Sequence, residues 1–90
     1  MLNQVVLIGR LNEDITGNRI TISVPRRYEN EFGEYENDIF RVILNDSIAK
    51  TTYEYCKKGD LLGIKGQLKN DFGNIVIIAE KITFLSRDRG

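Results

Sequence analysis

Cations and other polar residues alternate with apolar ones in three stretches of this 90-residue chain. Arg19, Thr21 and Ser23 alternate with Ile20, Ile22 and Val24. Lys65, Gln67 and Lys69 alternate with Ile64 and Leu68, and Arg41 stands between Phe40 and Val42. Spacing by two puts each set on one face of a strand, with the apolar set on the other. A bent sheet with cations, hydroxyls and an amide outside suits a charged polymer. Cations on such a face neutralise phosphates and release counterions, which makes affinity fall steeply with salt. The same alternation also describes an ordinary solvated sheet face, and the pattern by itself does not choose. Four rings, Tyr28, Phe32, Tyr35 and Phe72, lie in otherwise polar segments. A base stacked on such a ring is worth about 1–3 kcal/mol. The alternative is that some of the four pack on their own hairpin or on a neighbouring subunit.

Catalytic chemistry has little to work with. The chain has no histidine, so the commonest general base near neutral pH is missing. Cys56, on a helix, reads as buried filler rather than as a nucleophile. No set of residues has metal-ligand spacing. Gly63-Ile64-Lys65-Gly66 lacks the Lys-Ser/Thr pair of a phosphate loop. The expectation is a protein that is not an enzyme and takes no cofactor or metal.

Composition sets further bounds. Apolar residues make up 41% and charged residues 29%, a balance that folds. Residues 1–90 are expected to form one domain with a modest core, for which an oligomer is unsurprising. Net charge is zero, but its distribution is uneven. Between Arg26 and Asp38 there are two basic and five acidic residues, which leaves eleven basic and eight acidic elsewhere, a surplus of +3. The acids of that segment are expected to pair in part with Arg26 and Arg27. One cysteine excludes an intramolecular disulfide and fits a reducing cytoplasm. No signal peptide or membrane-length apolar run is seen.

The elements that position these residues follow in chain order. Asn3 to Leu11 is a first strand, with Val5 to Ile8 apolar on both sides and Gly9 marking a bend. Such a strand is buried on both faces or meets another subunit. Thr16-Gly17-Asn18 is a turn, and Arg19 to Val24 is the second strand. Pro25 belongs at a strand end or a sheet edge. Arg26 to Asn37 reads as a long hairpin arm and Asp38 to Asn45 as the third strand. Asp46 or Ser47 caps a helix running to about Lys58, with Lys57 and Lys58 at its negative end and Gly59 as its stop. Tyr53 and Tyr55 are expected to pack this helix, and Phe40 and Phe84 to lie in the core. Leu61 to Lys69 is the fourth strand, where Gly63 and Gly66 allow bending or close backbone approach. It buries Leu62, Ile64 and Leu68. Asp71-Phe72-Gly73-Asn74 is a tight turn, Ile75 to Leu85 the fifth strand, and Ser86 to Gly90 a polar tail. The fold class is all-β, a five-stranded barrel with its helix between strands three and four, which is the layout of an OB-fold.

Two long blocks carry a resemblance: Met1-Leu2-Asn3-Gln4-Val5-Val6-Leu7-Ile8-Gly9-Arg10-Leu11, and Tyr55-Cys56-Lys57-Lys58-Gly59-Asp60-Leu61-Leu62-Gly63-Ile64-Lys65-Gly66-Gln67-Leu68. Gly33-Glu34-Tyr35-Glu36 and Ala79-Glu80-Lys81-Ile82 through Leu85 add to it. In that order the chain resembles the bacterial and phage single-stranded DNA-binding proteins. The resemblance implies an OB-fold, usually a homotetramer, that wraps single-stranded DNA in replication, recombination and repair without catalysis. It implies a stacking role for Tyr28 and Phe72 and a basic role for Arg41. With the cations of the strands, the expected DNA-binding residues are Arg10, Arg19, Tyr28, Arg41, Lys65, Lys69 and Phe72. The expected partners are single-stranded DNA and other copies of the chain, as tetramer or dimer, with no membrane. The chain departs from the family's pattern in three places. Ile39 and Asn45 stand where many members carry Trp or Phe, and the Asn70–Asn74 hairpin is short. The chain stops at Gly90, without the linker and acidic tip that recruit other replication proteins. An alternative is an OB module that binds proteins, as in a primosome accessory subunit, with weak nucleic-acid binding.

Overall fold

A computed structural model describes residues 1–87. The last three residues of the expected polar tail therefore lie outside the described residues. The elements are β1 (Val5–Leu11), β2 (Arg19–Glu29), β3 (Tyr35–Ile43), α1 (Asp46–Tyr55), β4 (Leu61–Asp71) and β5 (Asn74–Ser86). The strands close into a barrel in the order β1-β2-β3-β5-β4. All pairs are antiparallel except β3 with β5. This is the expected OB-fold, with the helix between β3 and β4. Among the described residues no helix is long and apolar enough to cross a membrane.

Alternation builds the core. Leu11, Ile20, Ile22, Val42, Leu62 and Ile64 are buried in the barrel, and Ala49 and Cys56 join the same cluster from the helix side. Two glycines let the walls approach. A Cβ on Gly9 would sit 2.5 Å from Ile22 Cγ2, and one on Gly66 would sit 2.1 Å from the carbonyl oxygen of Ile78. Any side chain at Gly66 would collide with backbone, which cannot give way as a flexible side chain can. Gly66 also adjoins a register shift, since Lys65 pairs with Lys81 while Gly66 pairs with Ala79. Asn3 fastens the start of the chain to β4. Its side chain donates to Leu68 O at 2.8 Å and accepts from Leu68 N at 2.9 Å.

The structure differs from the sequence reading at several points, each with a local cause. The helix N-cap is Asn45, whose Oδ1 accepts from Ile48 N at 2.8 Å, rather than Asp46 or Ser47. Asp46 then lies in the first turn, where the dipole favours it. The helix stops at Tyr55, not near Lys58. A turn over Lys57–Asp60 competes with it: Asp60 Oδ2 accepts from Lys57 N at 2.9 Å, Asp60 N donates to Lys57 O, and Gly59 takes φ 94°. Lys57 and Lys58 therefore do not occupy the last helical turn.

β2 runs through Pro25 to Glu29 instead of ending at Val24. β1 leaves β2 at Ser23, so Pro25 lies where only β3 flanks the strand, an edge position as expected. Phe40 and Phe84 are not core residues, being 37% and 41% exposed. Phe40 is paired with the fully buried Ile22, but the β3–β5 pairing covers only Val42 and Ile43, so the barrel is open beside it. Leu68 is half-exposed, because the β4–β5 hairpin outruns the barrel wall. Tyr53 and Tyr55 stand mostly exposed on α1, and Ala49 and Thr52 do the packing. On β1 the inward residues Val5 and Leu7 pack against the core, while Val6 and Ile8 point outward, 70% and 57% exposed.

Candidate functional site

Cross-strand register assembles the outer face. Arg19 pairs with Ile43, Ile43 with Ile78, and Ile78 with Gln67, a continuous row over β2, β3, β5 and β4. Directly opposed residues share a face of the sheet, so all four point outward. The adjacent inner row, Ile20, Val42, Ile77 and Leu68, runs in the same register. One step further along each strand, Thr21 pairs with Arg41 and Val76 with Lys69, again outward. The two rows bring together Arg19, Thr21, Arg41, Gln67 and Lys69, with the half-buried Ile43 and Ile78 between the polar ends and Val76 buried beside them.

This face is concave at one end. A groove of about 290 Å³ lies between the β1–β2 loop, the outer side of β2 and β3, and the β4–β5 turn. Arg19, Arg41, Ile43 and Val76 line it together with three carboxylates, Glu13, Asp14 and Asp71, of which Asp14 accepts from Lys58 N at 2.8 Å. The β2–β3 face together with these two loops is where OB-folds take oligonucleotides and oligosaccharides. Among the described residues neither arginine makes an ion pair. Their guanidinium groups are thus free to meet an anion. Glu13 has one long contact, from Thr21 Oγ1 at 3.4 Å, and Asp71 has no cation partner among the described residues.

The other expected site residues are placed around this groove. Phe72 sits at the tip of the β4–β5 turn with φ 51°, fully exposed, next to Asp71. Gly73 follows at φ 88°, and the two positive angles make the tight turn that its composition predicts. Lys65 lies further along the outer side of β4, between Val6 of β1 and Lys81 of β5. Arg10 lies on the outer side of β1, and its Nη1 donates to Gly59 O at 2.8 Å. Tyr28 stands apart on the β2–β3 arm, exposed, as are Phe32 and Tyr35. The seven residues thus fall into two groove residues (Arg19, Arg41), two on the nearby β4–β5 hairpin (Lys69, Phe72), a β1–β4 group (Arg10, Lys65) and one arm residue.

Lys81 escaped the sequence reading. Simple alternation along β5 puts it on the side of Ile77 and Ala79, inside. The register shift skips Glu80 and turns Lys81 outward opposite Lys65. The apolar strip of Ile43 and Ile78 was also missed, because its meaning depends on the parallel β3–β5 pairing.

The arm is electrostatically different. Arg26 Nη1 lies 2.8 Å from Glu36 Oε2 and its Nη2 lies 3.0 Å from Asp38 Oδ1, the pairing expected for Arg26, whereas Arg27 makes no ion pair among the described residues. The hydrogen bond to Asp38 and the two nearby carboxylates raise the Arg26 pKa further above its already high ordinary value. Cys56 is buried and its thiol is pushed up, chiefly by desolvation and then by the Asp60 charge. It is poorly placed for nucleophilic work.

Residues 2–76 match the model of the single-strand binding protein family. The single-stranded DNA-binding protein B of Bacillus subtilis is 35% identical over 78 residues, covering 77% of this chain and 69% of that protein. That of Halalkalibacterium halodurans is 34% identical over 103 residues, covering 94% of this chain and 61% of the relative. That of Enterococcus faecalis is 31% identical over 96 residues, covering 91% and 51%. The chain therefore spans about half to two thirds of the length of these relatives. Among solved structures, a mitochondrial single-stranded DNA-binding protein of S. cerevisiae superposes with a TM-score of 0.73 at 17% identity, over 96% of this chain and 97% of that one. A Plasmodium falciparum SSB in complex with single-stranded DNA gives 0.72 at 21% identity, over 96% of both chains. At these identities the two structures speak for the fold.

Proposed function

The chain belongs to the single-strand binding protein family, whose members are not enzymes, and from that premise we propose that it binds single-stranded DNA with little sequence preference in replication, recombination or repair. The observation that carries this reading is the four-strand outer face, on which Arg19 and Arg41 make no ion pair among the described residues. Phosphates meet Arg19, Arg41 and Lys69, and a base stacks on Phe72 at the turn. The half-buried Ile43 and Ile78 give the sugar and base edges an apolar floor. Lys65 and Arg10 take the strand where it leaves the sheet toward β1, and Tyr28 reaches it from the arm. Site residues of this kind are sequence-tolerant because every base has a π-face and every nucleotide a phosphate.

The protein works in the cytoplasm as residues 1–90 of one OB domain, and as an oligomer, tetramer or dimer. Val6 and Ile8 support the oligomer, since two large exposed apolar side chains in line on a strand make a natural subunit contact. Several domains side by side multiply a weak single site. Fluorescence anisotropy with labelled oligothymidine tests the reading. Affinity falls as salt rises and falls again on Arg41→Ala. Equal affinity for a duplex of the same length, or no response to Arg41→Ala, overturns the assignment of this face.

A second reading has its own observation. The β2–β3 arm is acidic and carries three exposed rings, Tyr28, Phe32 and Tyr35. That surface suits a basic protein partner better than a phosphate backbone. Under this reading the arm recruits replication proteins while the groove binds DNA. Arm substitutions then leave oligothymidine binding intact and abolish the protein contact.

A further inference from the structure

Away from the groove, the outer side of β1, β4 and β5 joins apolar side chains to a pair of like charges. Val6 pairs with Lys65 and Lys65 with Lys81, and one outward step along, Ile8 pairs with Gly63 and Gly63 with Thr83. Directly opposed residues share a face, so Val6, Ile8 and both lysines stand together. Gly63 keeps this surface low: a Cβ there would lie 3.7 Å from Leu85 Cδ1, so Leu85 borders a shallow saddle. Val6, Ile8 and Leu85 are all exposed. Lys65 and Lys81 make no ion pair among the described residues, not even with the neighbouring Glu80. Like charges directly opposite destabilise a sheet, so the pair calls for an anion from outside. Two such faces packed on one another would bring all these lysines together, a repulsion that selects against face-to-face contact. The β2–β3 arm carries the complement. Arg26 holds Glu36 and Asp38, but Glu29, Glu31 and Glu34 make no ion pair among the described residues, against one such cation, Arg27. The exposed rings of Phe32 and Tyr35 stand among these acids. The arm tip is already ordered, since Asn30 Oδ1 accepts from Phe32 N at 2.9 Å and from Glu34 N at 3.0 Å. A preordered arm loses little further freedom on docking.

We infer that the acidic arm of one copy docks on the β1–β4–β5 face of another, with a carboxylate of Glu31 or Glu34 between Lys65 and Lys81 and the ring of Phe32 or Tyr35 against Val6, Ile8 and Leu85. The inference rests on the oligomer proposed above and deepens the second reading: the basic surface that the arm meets belongs to another copy of this chain. Two arms exchanged about a two-fold axis close the assembly as a dimer. The chain's net charge of zero then divides into surfaces of opposite sign that satisfy one another between copies. Lys65 also lies on the path proposed for the DNA strand, so the arm and a phosphate compete for it.

The test is sedimentation equilibrium without DNA, on the intact chain, on a face variant (Lys65→Glu/Lys81→Glu), on an arm variant (Glu31→Lys/Glu34→Lys) and on an equimolar mixture of the two variants. All four positions are exposed, so both variants fold, as thermal melts check. Each variant alone is expected to raise the dissociation constant of the assembly by about tenfold or more. The mixture is expected to recover it, because each reversed surface then meets its complement. If neither reversal weakens the assembly, or if the folded variants stay apart when mixed, the arm–face contact is overturned and the oligomer rests on another surface. The intact chain gives a further measure that needs no variant: its assembly weakens as sodium chloride rises, and an assembly indifferent to salt overturns the inference. If the intact chain sediments as a monomer, the oligomer reading fails and the inference with it, while the DNA reading is decided separately by the anisotropy titration.

Discussion

The two ends of the β2–β3 hairpin are made of the same two strands, yet only the arm holds one of its arginines, Arg26, in ion pairs among the described residues. At the barrel end, Arg19 and Arg41 face outward and make no ion pair among the described residues. On the arm, Arg26 is held by both Glu36 and Asp38. The chain's net charge of zero hides this division. What matters for an anionic ligand is not how many cations a surface has but how many remain uncommitted. On the arm Arg26 is engaged in fixing its own hairpin, while Arg27, like the barrel's Arg19 and Arg41, makes no ion pair among the described residues.

The sharpest way to break this comparison is to remove the uncommitted pair. Arg19→Ala/Arg41→Ala is expected to lose about 1.5 kcal/mol or more per arginine, close to a tenfold rise in Kd for each. The dependence of log K on log salt falls by about 0.7 for each phosphate contact removed. An unchanged salt slope in an oligothymidine titration would show that these arginines meet no phosphate. Phe72→Ala comes next. It is expected to cost about 1–2 kcal/mol of binding, and Tyr28→Ala less than 1 kcal/mol, because Phe72 stands on the β4–β5 turn beside the groove residue Asp71 and Tyr28 stands on the arm. The reverse order would move the strand's path onto the arm.

Arg26→Ala is expected to leave the Kd within about twofold, since exposed ion pairs contribute little, and to speed hydrogen exchange at arm amides. Slower binding with unchanged exchange would mean that Arg26 meets DNA after all.

The smallest effect concerns Cys56, which belongs to neither end and serves as a control on the fold. Its folded thiol pKa is raised, so its contribution is complete below the ordinary thiol range and is lost as pH rises through it. A Cys56→Ala variant is therefore expected to lose less stability between neutral and alkaline pH than the intact chain, as read by urea denaturation at each pH.

Much of this was legible in the sequence because alternation is a strong signal in a barrel. Ile20, Ile22, Leu62 and Ile64 point inward and Arg19, Thr21, Arg41, Lys65 and Lys69 outward, as their spacing predicts. Legibility failed where the signal is not local. The helix end was lost because Asp60, beyond the helix, folds back on Lys57 N. Phe40 and Phe84 look like core residues by type, but both are partly exposed, Phe40 where the β3–β5 pairing leaves the barrel open beside it. Lys81 was hidden by a single skipped residue, which inverts the parity of everything after it. The groove itself combines a loop near residue 13, two strands and a turn near residue 71, and no window of sequence contains all of them.

The paired hydrogen bonds between Asn3 and Leu68 have a practical side. Anything attached ahead of Asn3 leaves the molecule alongside the β4–β5 hairpin, close to Lys69. A purification handle placed there would crowd the surface being assayed. A fluorophore in the same place would instead report directly on whether that hairpin is occupied.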